Sequence, residues 1–247
     1  NVWLILGAAC LVTPIFGKPD AMKRDVMMLA GGSVLFAAFC VYGVLDKLAG
    51  VVLLIIFGAF LATSYFREKA DPEVMKEHLE ELEELVNGIP KSVPIAVLLT
   101  LAGIAGLAFG SDMLVQGGSA IARSFGVSEE VIGLTLFAFG TSLPELAASI
   151  VAAYRGHPDV AIGNVVGSNV FNMMLVGGAV ALVVDIPVPW QVAQFDIWVM
   201  LVATAMLMPV LIGRMKLNRG VALVFCALYL AYVGAQAYGV EKLLSAV

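Results

Sequence analysis

The sequence predicts an all-α integral membrane protein, an inverted-repeat transporter bundle, on three observations. Hydrophobic residues make up 61% of the 247 residues and charged residues only 13%, whereas roughly a quarter of a soluble domain is charged. The apolar residues form eight segments, and the sequence repeats itself at an offset of 171 residues. The net charge of −5 provides no basic surface, so the composition excludes nucleic-acid binding.

Eight segments are apolar enough to cross a bilayer. A span needs about 17 or more consecutive uncharged residues. Six stretches meet that rule: Val26–Leu45, Leu48–Phe66, Ser92–Ser111, Val160–Val184, Ile197–Gly213 and Gly220–Val240. Asn1–Phe16 is apolar from its first residue, and Val131–Tyr154 contains one carboxylate, Glu145. We expect Asp112, which follows the third stretch, to mark the outer end of a tilted helix.

Lysine and arginine residues favour one side of the membrane. Eleven lie in loops on that side: Lys18, Lys23, Arg24, Arg67, Lys69, Lys76, Lys91, Arg155, Arg214, Lys216 and Arg219. The other side has Lys47, Arg123 and Lys242. By the positive-inside rule the first side is cytoplasmic, which places the C-terminus outside.

The internal repeat divides the chain into three parts. The offset of 171 superposes identical residues from Asn1 on Asn172 to Ile15 on Ile186. Residues 1–66 are a truncated first repeat of three spans, 67–91 are a linker, and 92–247 are a complete second repeat of five spans. Because five is odd, consecutive repeats run in opposite directions through the membrane. The first repeat has no counterpart of residues 91–171, so we expect a fragment of a protein of about 325 residues.

The linker at 67–91 holds eight of the nineteen acidic residues. Asp71 and Pro72 suit the start of a helix, and apolar residues follow at helical spacing from Met75 to Val86. We predict a short amphipathic cytoplasmic helix that lies as a solvated linker against the bundle or the membrane edge. A divalent-ion sensor is the alternative, but the carboxylates lack the spacing of a calcium-binding loop.

Glu145 is the most informative residue. It lies near the middle of its span, where a charged carboxylate costs about 2.5–3.5 kcal/mol. It follows Gly140, Thr141, Ser142 and Pro144, and the proline prevents a regular helix through the preceding turn. Irregular backbone at this depth is tolerated only inside protein or against a cavity. We therefore predict a cation site made of a carboxylate, two hydroxyls and backbone carbonyls.

The next span carries a second polar motif. Asn164, Ser168 and Asn172 are spaced four apart and share one helix face, and we expect Gly163 and Gly167 to allow close approach of a neighbouring backbone. Oxygen ligands without sulfur or imidazole suit hard cations such as Ca²⁺ or Na⁺. Singly, Thr135, Ser149 and Asn169 are better explained as hydrogen-bonding residues between helices. The three cysteines, Cys10, Cys40 and Cys226, have no metal-ligand spacing.

The two motifs, from Gly133 to Leu146 and from Gly163 to Asn172, resemble the α-repeat signature of the calcium/cation antiporter superfamily, specifically the prokaryotic sodium/calcium exchangers. The resemblance implies a ten-span protein of the prokaryotic inner membrane, of which about eight spans are present, exchanging Na⁺ for Ca²⁺. It implies ion ligands at mid-membrane, with the remaining motif residues in support. The implied ligands are Thr141, Ser142, Glu145, the carbonyl of Ala138, Ser168 and Asn172; the supporting residues are Asn164, Asn169, Gly140, Pro144, Gly163 and Gly167. Some relatives, including potassium-dependent ones, carry Asp in place of Asn172, which argues against potassium dependence here.

Charge counting leads to a further expectation. One glutamate cannot neutralise a dehydrated Ca²⁺, which takes six to eight oxygen ligands. Repeat symmetry and the resemblance both place a second carboxylate in the first-repeat spans that the sequence lacks. A carboxylate pair suits either one Ca²⁺ or several Na⁺, and such exclusive occupancy is the basis of antiport. We expect the ions to bind as substrates, with no cofactor, and this chain alone not to transport.

Two alternatives remain open. A buried glutamate can also carry a proton, which makes an H⁺/Ca²⁺ exchanger the second candidate, and the chain could be a non-transporting fragment. An intramembrane enzyme is disfavoured, because the spans hold no histidine and no Ser or Cys beside a base. His78 and His157 both lie in loops.

Overall fold

The computed structural model describes residues 1–15, 19–70, 92–127, 129–132, 135–136, 138–213 and 215–240. In chain order its elements are α1 (Val2–Val12), α2 (Pro19–Tyr42), β1 (Val44–Leu45), α3 (Lys47–Ala70), α4 (Val93–Ser124), α5 (Glu129–Ile132), α6 (Ala138–Thr141), α7 (Leu143–Tyr154), α8 (Pro158–Val183), β2 (Ile186–Pro187), α9 (Val192–Leu211) and α10 (Arg219–Tyr238). Six helices, α2, α3, α4, α8, α9 and α10, are long and apolar enough to cross a membrane, and α1 and α7 are shorter apolar helices. The fold is the helical membrane bundle that the composition predicts.

The linker predicted at 67–91 lies almost entirely outside the described residues, and the helix predicted to begin at Asp71 lies wholly outside them. Of the linker, only residues 67–70 are described, and they form the end of α3. The proposed division at 66 and 91 therefore stays a prediction. The two strands of two residues each were not predicted, and β1 pairs antiparallel with β2.

Helix α4 is longer than the apolar stretch predicts. It runs without interruption through 32 residues, about 48 Å at 1.5 Å per residue. The prediction that Asp112 marks the helix end is wrong, because Asp112 lies inside the helix. Its carboxylate accepts a 2.6 Å hydrogen bond from Gln116 Nε2 one turn later. A local donor thus satisfies this carboxylate, and the helix continues past the charge.

The turn from α4 to α5 is closed by an ion pair. Arg123 Nε and Nη2 donate to the two carboxylate oxygens of Glu129 at 2.5 and 2.8 Å. These hydrogen bonds hold the pKa of the Glu129 carboxyl below its ordinary value. Both side chains are more than half exposed, so the pair orders the turn without adding much stability.

The span predicted at Val131–Tyr154 is broken, as Pro144 predicts. Helix α6 ends at Thr141, Ser142 forms a turn, and Pro144 lies in the first turn of α7, where no backbone N–H is needed. The Ser142 N–H donates to the Phe139 carbonyl, three residues back, at 3.1 Å. Residues 133–134 and 137 of the motif lie outside the described residues.

In the described part of the chain, and besides the π-helical residues Thr135 and Leu136, three of the named helices contain a π-helical turn, in which each N–H bonds five residues back instead of four. These turns cover Val2–Leu6 in α1, Phe171–Val176 in α8 and Val192–Asp196 in α9. The predicted α-helical spacing therefore fails at Asn172, which is exposed while Asn164 and Ser168 are half-buried. The turns in α1 and α8 overlap in the 171-residue register.

The chain connections show that the two halves are inverted. Leu45 pairs with Ile186 at one end of the bundle, and Ile15 bridges to Leu217 at the other. We name these the Leu45 end and the Ile15 end. Helix α2 leads from the Ile15 end to the Leu45 end, and α9 leads from the Leu45 end back. Equivalent helices of the two repeats therefore run in opposite directions, as the odd span count predicts.

Equivalent residues meet where α2 and α9 cross. Ser33 Oγ and Thr204 Oγ1, which are 171 residues apart, lie 3.5 Å from each other, and both residues are buried. Two equivalent positions can touch only near the axis that relates the repeats. The sequence register therefore corresponds to a rotation axis in the structure.

Glycines bring helices of opposite repeats close together. A Cβ added to Gly50 of α3 would lie 2.8 Å from the carbonyl oxygen of Gly178 of α8. A Cβ added to Gly7 of α1 would lie 2.8 Å from Cys226 Sγ of α10. Gly7 and Gly178 are again 171 residues apart, so α1 packs against the last helix of the second repeat as the end of α8 packs against the last helix of the first.

Candidate functional site

A helical hairpin of α7 and α8 carries the predicted polar motifs. Its turn contains Gly156 at φ +87°, a conformation open mainly to glycine, and Pro158 begins α8. Both helices bury small residues, among them Ala153 and Ala161, which are fully buried. The hairpin brings the start of α7 beside the middle of α8.

Asn164 ties the two helices together at the level of Glu145. Its Nδ2 donates to the backbone carbonyl of Glu145 at 3.1 Å and to Ser149 Oγ at 2.9 Å. Ser149 is fully buried. Its predicted role in bonding between helices agrees with this contact, and Asn164 fixes the backbone that carries the Glu145 side chain.

The Glu145 carboxylate presents a buried oxygen that lacks a partner. Among the described residues, no hydrogen-bond donor reaches its Oε2 atom. Glu145 lies in the first turn of α7, where the positive end of the helix dipole favours a negative charge by about 0.3–1 kcal/mol. That is less than the cost of burying the charge, so the site favours a bound cation at this oxygen.

Asn1 joins the two motifs and was missed as a site residue. Ser142 Oγ donates to Asn1 Oδ1 at 2.8 Å, and Asn1 Nδ2 donates to Ser168 Oγ at 3.2 Å. The signal that identifies it was present in the sequence, because the register that reveals the repeat superposes Asn1 on Asn172. Asn1 and its two serine partners form a polar link that faces the start of α7.

The other predicted ligands lie at the same break but are not all drawn together. Thr141 is the last residue of α6 and is exposed, and Ala138 begins the same helix. Asn172 is exposed on the π-helical turn of α8. Asn169 donates to the carbonyl of Val165 in its own helix at 2.7 Å, so its predicted role between helices is wrong.

The glycines of the motifs behave differently from one another. Gly140 is buried where α4 crosses the broken helix, and an added Cβ would collide with Val115. No atom of the described chain lies within 4 Å of a Cβ added at Gly163 or Gly167, so the close backbone approach expected there stays a prediction. Both are exposed on α8.

The chemistry of the site is that of oxygen. It combines one carboxylate, serine and threonine hydroxyls, and asparagine amides, and in the described part of the chain no three His, Cys, Asp or Glu side chains gather. Such a donor set suits hard cations better than zinc or copper. The arrangement can bind a cation, but it offers no nucleophile–base pair.

Comparisons with known proteins agree with this chemistry. The sodium/calcium exchanger protein family matches residues 95–238. The putative antiporter CaxA of Alkalimonas amylolytica is 34% identical over 241 residues, which are 96% of this chain and 73% of CaxA. The sodium/calcium exchanger MaX1 of Methanosarcina acetivorans is 44% identical over 109 residues, 44% of this chain and 31% of MaX1.

A solved structure shares the fold over nearly the whole chain. The sodium–calcium exchanger NCX_Mj, soaked with Na⁺ and Ca²⁺, superposes with a TM-score of 0.73 at 27% identity. The match covers 95% of this chain and 72% of NCX_Mj.

Proposed function

Because the chain belongs to the sodium/calcium exchanger family, a family of transporters, we propose that it takes part in exchanging Na⁺ for Ca²⁺ across the cell membrane. The observation that carries the proposal is the buried, unpartnered Oε2 atom of Glu145 at a helix break lined with hydroxyl and amide oxygens. Both ions are substrates of the exchange.

The roles proposed for individual residues follow from their positions. Glu145 supplies the negative charge, and Thr141, Ser142, Ser168 and Asn172 supply neutral oxygens, with the carbonyl of Ala138 at the start of α6. Asn1, the repeat counterpart of Asn172, adds an amide oxygen that now accepts from Ser142. A second carboxylate is still required for Ca²⁺, and we propose that it comes from first-repeat residues outside these 247.

Exclusive occupancy links the two ions. A Ca²⁺ ion and a group of Na⁺ ions compete for the same carboxylate oxygens, so the site holds one or the other. The inverted halves supply the second requirement, because two equivalent conformations related by the repeat axis open the site to either face. The electrochemical gradient of Na⁺ then moves Ca²⁺ in the opposite direction.

The positive-inside rule gives the proposed orientation. The loops at the Ile15 end carry the excess of lysine and arginine, which places that end in the cytoplasm and the C-terminus outside. For a prokaryotic protein the membrane is the inner membrane.

A proton-coupled Ca²⁺ exchanger is the second candidate. It is favoured by the same Oε2 atom, because a buried carboxylate oxygen without a donor is also a good place for a proton. The two candidates differ only in the ion that drives uptake.

The experiment that tests the proposal is Ca²⁺ uptake by proteoliposomes that contain the product of the complete open reading frame. Vesicles loaded with Na⁺ are diluted into Na⁺-free buffer with radioactive Ca²⁺, and a parallel set receives a pH gradient with choline replacing Na⁺. We expect uptake with the Na⁺ gradient that a Na⁺ ionophore abolishes. Uptake that responds to the pH gradient and ignores Na⁺ would support the proton-coupled candidate instead.

A second assay tests the need for residues outside the chain. The 247-residue chain is reconstituted alone and together with the upstream part of the reading frame as a separate polypeptide. We expect exchange only in the second sample. Exchange by the chain alone would show that it holds the complete site.

A further inference from the structure

A cavity of 350 Å³ lies on the outside of the bundle, between α2, α3 and α8. Its lining combines aromatic rings with the bare backbone of α8: Phe57, Phe60, Gly163, Gly167 and Phe171. Two charged residues, Arg24 and Asp25, complete it. The cavity is separate from the ion site, because Glu145 and α7 contribute nothing to its walls.

The glycines of α8 create this space. A side chain at Gly163 or Gly167 would meet no atom of the described chain within 4 Å. The aromatic residues frame the opening, with Phe57 and Phe171 in an edge-to-face contact at 6.3 Å. A surface of this kind at membrane depth favours an apolar chain in the space that the glycines leave.

Arg24 places a hydrogen-bond donor in the cavity without a partner. Its Nε atom is fully buried and finds no acceptor among the described residues. The guanidinium lies 5.0 Å from the Phe60 ring centroid, and its Nη2 atom is 3.4 Å from Asp25 Oδ1. Because Nη2 belongs to the same edge of the guanidinium as Nε, this edge is paired with Asp25 only over a long distance, and its Nε–H group is left without an acceptor. A buried donor of this kind costs free energy until an acceptor meets it.

The depth of the charged pair fits the boundary of the membrane. The membrane-length apolar part of α2 begins at Arg24, and that of α3 ends at Phe66, just beyond Ser64 of the cavity wall. Arg24, Asp25 and Ser64 therefore lie where lipid head groups meet the acyl chains, at the Ile15 end. Phosphate at this depth belongs to phospholipids, and arginine binds phosphate with two parallel N–H groups.

We propose that this cavity binds one phospholipid, with its phosphate on the Arg24 guanidinium, its ammonium on Asp25 and an acyl chain along Gly163 and Gly167. The Arg24–Asp25 pair carries no net charge, so it matches a zwitterionic head group with a small ammonium, such as phosphatidylethanolamine, better than a purely anionic one. The bound lipid would fill the groove behind the α8 face that carries Ser168.

Lipid retention tests the proposal without any transport assay, so its outcome is independent of the proposed ion exchange. The product of the complete open reading frame is purified in detergent, mixed with phosphatidylethanolamine, phosphatidylglycerol or diacylglycerol, and examined by native mass spectrometry. Wild-type protein is expected to retain one phosphatidylethanolamine. Arg24→Gln is expected to lower this retention about tenfold, since one charged hydrogen-bonded contact is lost.

Two further variants separate the site from a general effect of charge or folding. Arg219→Gln removes an exposed arginine at the same end, on α10, and is expected to retain lipid like the wild type. Ser64→Phe fills the cavity while keeping Arg24, and is expected to lose the lipid. The Ser64 hydroxyl donates only to the carbonyl of Phe60 in its own helix, at 2.7 Å, so we expect the helix to tolerate the change.

Four results would overturn the proposal. The first two are equal retention by Arg24→Gln and the wild type, and equal retention of diacylglycerol and phosphatidylethanolamine. The third is displacement of the lipid by millimolar inorganic phosphate, which would indicate a site for a soluble anion. The fourth is stronger retention of phosphatidylglycerol than of phosphatidylethanolamine, which would remove Asp25 from head-group recognition.

Discussion

Replacing Asn164 with leucine tests whether the α7–α8 hydrogen bonds position Glu145. The two side chains have nearly the same size, so the change removes the amide without leaving a cavity. It breaks two bonds at once, to the Glu145 carbonyl at 3.1 Å and to Ser149 at 2.9 Å. Hydrogen bonds between membrane helices average about 0.6 kcal/mol and reach about 1.7 kcal/mol.

The expected loss is therefore about 1–2 kcal/mol for the pair. If this free energy holds the ion site in its binding geometry, its loss raises the KM for Ca²⁺ about 5- to 30-fold, because 1.4 kcal/mol corresponds to a factor of ten. The maximum rate changes less, since the carboxylate itself is still present. The measurement is initial uptake at a series of Ca²⁺ concentrations in proteoliposomes that contain the product of the complete open reading frame.

Asn169→Leu is the matched control. Asn169 is on the same helix, is half-buried like Asn164 and donates one hydrogen bond, but only to Val165 of its own helix. We expect its KM to stay within about twofold of the wild type, because loss of a bond within a helix does not move α7. An unchanged KM in Asn164→Leu, or an equal increase in both variants, would refute the positioning role.

Three other predictions follow from the structure. Glu145→Gln should abolish Ca²⁺ uptake while keeping the melting temperature within a few degrees of the wild type, and uptake that persists would remove this carboxylate from the site. Gly50→Ala should destabilise the protein by about 1–3 kcal/mol through collision with the Gly178 carbonyl, measured as a lower melting temperature, whereas Gly58→Ala, which meets no atom, should be neutral. The ion pair with Arg123 lowers the pKa of Glu129, so the pair stabilises the folded turn above the ordinary carboxyl pKa of about 4.3 and less so as the pH falls below it. The difference in melting temperature between wild type and Glu129→Gln should therefore shrink as the pH falls over that range. A difference that stays constant would show that the pair is not formed.

The sequence predicts helices well where charge and proline define them. Apolar length located most of the membrane helices to within a few residues because the bilayer sets both their length and their composition, but α4 continues to Ser124, well beyond the predicted end at Ser111. Pro144 located the break before Glu145, because proline, which has no backbone N–H, is best tolerated in the first turn of a helix. Asp112 misled the same reasoning, since a carboxylate with a glutamine one turn away does not end a helix.

The site was only partly predictable, for a geometric reason. Glu145 and Ser168 were identified from their residue types in an apolar context. Asn172 was placed on the face of Asn164 because the spacing assumed an α-helix, and the π-helical turn from Phe171 has no signal in a single sequence. The repeat register superposes Asn1 on Asn172, but Asn1 was used only to align the repeats and was not proposed as a site residue.

The packing of α1 against α10, which lies far away in the sequence, affects how the protein is made. Cys10 of α1 donates its thiol hydrogen to the carbonyl of Leu217, 207 residues later, and α1 packs against α10 through Gly7. At a synthesis rate of about 5–20 residues per second, α1 waits some 10–40 seconds in the membrane before its partner emerges from the ribosome. During that time the surface of α1 that packs against α10 has only lipid or the insertion machinery to contact. A ribosome that stalls before Arg219 therefore leaves the face of α1 that packs against α10 uncovered, and the quality-control proteases of the membrane should recognise such chains by that exposed face.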